Sequence, residues 1–231
     1  MILVEAGTHV IIDALICPDK IGERVRSRKL LRSMSQGMLL MWDRGLHSYV
    51  MVMETLAQGA DYLGRMPKNV KFPVAKVLKD GSYLSGIAPD EKSKKKGASK
   101  IMVRVIEYPI ENDGKSVVYR LITSLLDPVD FPALILAGEY HKRWEVESTI
   151  DELKVHLLGR KTLIRSLNPR EVVQEIYGWL LGHWAVRSLM FQVAERAEIS
   201  PLRLSFTGTL NVVRRAVPKF QRLELTEIPF F

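Results

Sequence analysis

The texture of the chain changes at Asp127-Pro128, and this change limits the folds open to it. From Lys68 to Leu126, β-prone runs such as "IMVRVIEYPI" and "VVYRLITSLL" are separated by Asp80-Gly81, "EKSKKKGASK" and Asn112-Asp113-Gly114, residue types that favour turns. Past Asp127-Pro128 the pattern is helical almost to the end, and "SLNPREVVQEIYGWLLGHW" offers Asn168 as an N-cap with Pro169 at the first helical position. Before Lys68 the two kinds of segment mix. "ILVEAGTHVIIDALI" reads as two strands around Ala6-Gly7-Thr8, and "GERVRSRKLLRSM" as a basic helix before Gly37. "MLLMWDRG" reads as a buried strand that delivers Asp43 at its carboxyl end, followed by a helix over roughly Tyr49 to Gln58 and a strand at "DYLGRM". The expected fold class is α/β in three stretches: a first part over residues 1–67, a β-rich insertion over 68–126 and a helical part over 127–231.

A chain of 231 residues, 47% of them hydrophobic, can bury a substantial core. Its net charge of +8 and isoelectric point near 9.6 imply affinity for a polyanion. Nucleic acid ranks ahead of an anionic membrane because no basic amphipathic helix with an aromatic face stands out. A single cysteine, Cys17, excludes an internal disulfide and a thiolate zinc site, and is expected as a small buried hydrophobe in a reducing compartment. No run of about 18 apolar residues occurs, so no membrane span is expected. The start "MILVEAGTHV" lacks the basic region and cleavage site of a secretory signal.

The stretch "EYHKRWEVESTIDELKVHLL", Glu139 to Leu158, contains good helix formers and no Gly or Pro, which predicts one continuous helix. On a helix turning about 100° per residue, with Tyr140 at zero, Arg143, Glu147 and Lys154 fall at about −60°, −20° and −40°. All four share a narrow face. By spacing alone this is a solvated polar face with a marginal Arg143–Glu147 pair.

Taken with "WDRG", however, Tyr140-x2-Arg143-x3-Glu147-x6-Lys154 resembles the signature of the DDE transposases of bacterial insertion sequences, the insertion-sequence-four family. The resemblance extends over essentially the whole chain, through segments such as "LLDP", "YHKRWEVE" and "RLSFTGTL". It implies a ribonuclease-H-like core, with the β-rich insertion before the helix of the catalytic Glu, that cuts and rejoins DNA. Asp43 and Glu147 are then catalytic carboxylates and metal ligands for Mg²⁺ or Mn²⁺, two ions about 3.5–4 Å apart in the complete enzyme. Tyr140, Arg143 and Lys154 are then DNA-binding residues that hold transposon ends. The partners implied are double-stranded DNA, as transposon ends and target, and a second copy in a homodimer on paired ends; the implied location is the cytoplasm, at the bacterial nucleoid.

The family's first Asp lies on a strand preceding the one that starts here at Ile2, so its position falls before Met1. Neither Glu5 nor Asp13 matches its motif. The expectation is a truncated copy, incomplete at the N-terminus of the core; a third ligand from Asp13 is the alternative. A non-catalytic DNA-binding remnant or inhibitor is the corresponding alternative function. The lysine-rich loop "EKSKKKGASK" is read equally as a phosphate contact or a solvated loop. Trp144 and His183 are expected in the core, and Gly45 is expected to permit the turn after Asp43.

Overall fold

The computed structural model describes residues 1–17, 20–67, 69–95, 97–112, 115–159 and 164–222. They form two compact units, one comprising Met1 with Asp13–Arg143, the other Ile2–Ile12 with the chain from Trp144 onward. A hairpin of β1 (Ile2–Val4) and β2 (Ile11–Ala14) makes a separate two-stranded sheet, and β2 passes from the second unit into the first.

The first unit is built on a mixed six-stranded sheet. After α1 (Glu23–Lys29), strand β3 (Leu39–Trp42) runs into α2 (Tyr49–Ala57) and returns as β4 (Asp61–Arg65), parallel to β3 with Leu39 opposite Asp61. A parallel pair needs such a crossover, and Ser48 starts this one by accepting from the Met51 amide at 3.1 Å. The remaining strands are β5 (Lys76–Val77), β6 (Tyr83–Ile87), β7 (Ile101–Asn112) and β8 (Lys115–Thr123), with the short helix α3 (Glu91–Lys94) between β6 and β7. They join antiparallel, giving the order β3-β4-β8-β7-β6-β5. The strand-rich stretch after Lys68 thus extends the same sheet that holds β3. Gly81, at φ +82°, makes the expected turn between β5 and β6; Asp113-Gly114, expected between β7 and β8, lies outside the described residues.

Helix α4 (Ala133–His141) covers one sheet face, burying Ala133, Leu136 and Tyr140 against Leu63, Ile106 and Leu121. On the other face Trp42 stacks on Tyr62, ring centroids 5.0 Å apart. The Trp42 indole lies across its register partner Gly64, so closely that a Cβ there would fall 2.2 Å from Nε1.

The second unit contains α5 (Glu145–Asp151), α6 (Pro169–Arg196) and α7 (Phe206–Phe220). The expected cap is present: Asn168 accepts from the Arg170 amide at 3.0 Å, with Pro169 opening α6. Helices α6 and α7 meet through Val186, Met190, Phe206 and Leu210. Beside them Glu152, 9% exposed, receives Arg187 on both oxygens, His183 Nε2 at 3.1 Å and His9 Nδ1 at 3.1 Å. His9 stands in the left-handed region at φ 60° and also reaches Glu145 at 2.7 Å. His183 is fully buried, as expected.

Two outcomes test this packing. Gly64→Ala forces the Trp42 indole out of place, so it should cost about 1–3 kcal/mol and lower Tm by several degrees; an unchanged melt would contradict the stacking. Burial alone would push the Glu152 carboxyl up, but bonds from His183, His9 and Arg187 outweigh burial and hold it at about 2. A depressed folded pKa means the contribution is fully present above the ordinary 4.5 and is lost as pH falls toward about 2. Glu152→Gln should therefore flatten stability against pH in that window, and cost about 3–5 kcal/mol at neutral pH by stranding Arg187. Denaturant melts across pH read both effects.

Candidate active site

Asp43 follows the last residue of β3 and keeps extended backbone, φ −81° and ψ 163°. Its Oδ1 accepts from the Arg44 amide at 2.8 Å, capping a single tight turn over Arg44–Leu46, and its Oδ2 has no donor among the described residues. Arg24 fastens the turn by donating to the Gly45 carbonyl at 2.7 Å. Gly45 is outside the left-handed region and has open space around it, so this turn does not require glycine, contrary to expectation. Next along the loop, burial and then the charge of Arg24 hold the His47 imidazole down at about 4.

Tyr140 comes up beneath this strand end. Its ring is 2% exposed and its hydroxyl donates to the Trp42 carbonyl at 3.2 Å. Burial pushes the hydroxyl up to about 12, with Arg143 opposing and Asp43 reinforcing the shift. The Arg143 guanidinium carbon lies 5.8 Å from the Tyr140 ring centroid, within cation–π range. Three of the five expected residues, Asp43, Tyr140 and Arg143, thus gather in the first unit.

Glu147 and Lys154 belong to the second unit, and both are exposed. Glu147, on α5, makes no hydrogen bond or ion pair among the described residues and opens onto a cleft lined by Ser148, Asp151, His156 and Thr207. The continuous helix expected over Glu139–Leu158 is instead a succession of turns. Helix α4 ends at His141, a 3₁₀ turn spans Lys142–Trp144, α5 follows, and a π-helical turn spans Glu152–Leu157, where the Leu158 amide reaches back to the Leu153 carbonyl at 3.3 Å. Tertiary bonds account for the breaks, with the Tyr140 hydroxyl drawn to β3 and the Glu152 carboxylate drawn among His9, His183 and Arg187. One 3.6-residue projection therefore does not relate all four signature positions. The tighter turn also leaves Trp144 50% exposed rather than in the core.

Glu152, whose buried bonds hold the segment after Glu147, does not stand out in the sequence. It sits five residues past Glu147, off the shared face, and its partners come from His9 and α6. Asp13, the alternative third ligand, has its oxygens taken by Arg32 at 2.8 Å twice and by Ser33 at 2.7 Å. The Arg32 hydrogen bond, against the opposing effect of burial, holds its carboxyl below the usual range. Hard divalent cations require oxygen ligands, and the uncommitted oxygens of Asp43 and Glu147 suit them in kind. Among the described residues no group of three or more His, Cys, Asp or Glu is arranged to hold a metal. No described helix is long and apolar enough to cross a membrane.

The chain is similar to known proteins. A family model described as the transposase DDE domain matches residues 1–183. The transposase InsG for insertion sequence element IS4 of Escherichia coli (strain K12) is 25% identical, over 97% of this chain and 51% of its own length. The chain spans about half the length of that relative. With a match over most of its residues, a strand-end Asp43 and the Tyr140, Arg143, Glu147 and Lys154 spacing, the chain belongs to the DDE transposases, in the insertion-sequence-four family.

Proposed function

We propose that this chain is the catalytic-core portion of a DNA transposase, cutting transposon-end DNA and joining it to a target by phosphoryl transfer, with Asp43 and Glu147 as ligands of a divalent-metal site. The observation that carries the reading is the strand end at Asp43: a carboxylate with one uncommitted oxygen, beside Tyr140 and Arg143, on a parallel β3-α2-β4 unit. That unit and the mixed sheet fit a ribonuclease-H-like core. DDE transposases use divalent cations, which when bound supply Lewis-acid polarisation of the scissile phosphate.

The residues of the chain do the rest. Arg143 forks onto a phosphate near Asp43, and Lys154 offers a point charge further along the DNA. Tyr140 reaches a phosphate by exchanging its bond to the Trp42 carbonyl. The reading includes a homodimer on paired ends, acting at the nucleoid. A second reading, a DNA-binding remnant without catalysis, is supported by the finding that among the described residues no group of three or more His, Cys, Asp or Glu is arranged to hold a metal.

Two measurements separate these readings. Binding to a transposon-end duplex should weaken steeply with salt, and Arg143→Ala or Lys154→Ala should each lower the salt slope by about one. Fe²⁺ substituted for the native cation should direct hydroxyl-radical cleavage of the polypeptide beside both Asp43 and Glu147, and Glu147→Gln should suppress it together with Mn²⁺-dependent nicking, about 100-fold or more, while leaving duplex binding intact. Backbone cleavage at one carboxylate only, or binding indifferent to salt, would overturn the proposal. Salt-sensitive binding without metal-directed cleavage would select the remnant.

A further inference from the structure

The sheet face beneath α4 continues past the end of that helix, and strand register shows what it carries there. Met41 faces Leu63, so Asp43 and Arg65, each two residues on, share that face; Arg65 faces Leu121, Tyr119 lies two residues along β8, and Tyr108 faces Tyr119. Asp43, Arg65, Tyr119 and Tyr108 therefore form a row across β3, β4, β8 and β7, about 14 Å over three strand spacings.

The side chains of this row touch. The Arg65 guanidinium carbon lies 3.8 Å over the Tyr119 ring, Tyr119 and Tyr108 are 5.9 Å apart, and His141, just past Tyr140, meets Tyr108 edge-on at 6.1 Å and Tyr119 at 6.5 Å. The Tyr108 hydroxyl is buried with no hydrogen-bond partner among the described residues. Among the described residues no carboxylate pairs with Arg65, whereas Arg120, on the opposite face, is taken by Glu107. A guanidinium held over a tyrosine ring has its position restrained by the cation–π contact while its N–H groups can still fork onto a phosphate. Arg143 adds positive charge at the same helix end, whereas Lys142 is paired with Glu139 at 2.7 Å.

We propose that Arg65, braced on Tyr119 beside His141, binds a backbone phosphate of the DNA strand that meets Asp43, with the Tyr119 and Tyr108 rings seating the neighbouring sugar or base. This rests on the transposase reading and adds a binding surface outside the Tyr-Arg-Glu-Lys signature.

The test is binding of the full chain to a labelled transposon-end duplex at several salt concentrations. Arg65→Ala should weaken binding about tenfold or more and lower the salt slope by about one. Arg65→Lys should keep the slope but lose affinity, because a lysine conserves the charge and not the stacked fork. Tyr119→Ala should weaken binding, and Tyr119→Phe should not. Lys76→Ala removes an exposed charge on β5, at the far edge of the sheet, and should change neither quantity. Should Arg65→Ala lose the fold, Arg65→Lys still decides, since affinity equal to the unaltered chain overturns the inference. If Arg143→Ala and Lys154→Ala weaken binding while Arg65→Ala does not, the inference fails and the transposase reading stands. If none of the three matters, the reading beneath it fails and the inference falls with it.

Discussion

A guanidinium buried in a sheet interior must have every donor answered, and the first unit is organised around one. Arg104 on β7 is fully buried and is met by the Asp80 carboxylate, the Ser82 hydroxyl and the carbonyls of Leu125, Asp127 and Phe131. Three of those carbonyls come from the connection between β8 and α4, so this one side chain fixes the path along which the chain leaves the sheet. Asp80 completes the arrangement by accepting from the Ala133 amide at 3.0 Å, the first residue of α4. Burial would raise its carboxyl, yet bonds from Ser82 and Ala133 and the charge of Arg104 hold it below the usual range. Removing one member would strand the others at a cost of about 3–5 kcal/mol. The position of α4, and with it Tyr140 under the end of β3, follows from this satisfied charge.

The second unit uses the same device with different residues. Glu152 collects His9 from the β1–β2 hairpin and His183 and Arg187 from α6, fixing the segment that follows Glu147. In each unit a buried ion pair stands one or two helical turns from a signature residue. Charges placed this way contribute little net stability but much to geometry, since few alternative packings satisfy them all. The exposed Glu147 and Lys154 thus need no bond of their own for the backbone beneath them to be held.

Local features were the legible ones. The Asn168 cap, the Asp80-Gly81 turn, the crossover from β3 to β4 and the strand-end place of Asp43 depend on residues close in sequence, and each could be read from composition and periodicity. The pairing of β8 with β4, which draws the later strands into one sheet, depends on partners about 60 residues apart and left no local trace. The interruption of the Glu139–Leu158 helix was illegible for a related reason. Nothing in its composition disfavours a continuous helix, and the bonds that break it come from Trp42, His9, His183 and Arg187. Trp144 was misplaced by the same error, because its outward direction depends on the 3₁₀ turn. The row from Asp43 to Tyr108 required strand register, which no single strand encodes.

The π turn over Glu152–Leu157 bears on which length changes the segment can absorb. Such a turn holds one residue more than an α-helical turn needs. Loss of a single residue after Glu152 lets the turn close as ordinary α-helix, with Glu152 still among its partners and the following chain nearly in place. Loss of a residue within Ser148–Asp151 has no such slack, and rotates Glu147 by about 100° relative to Glu152 or tears Glu152 from its histidines and arginine. Length changes among related sequences should therefore collect at Val155–Leu157, past Lys154, where the turn has slack and the spacing from Glu147 to Lys154 is kept.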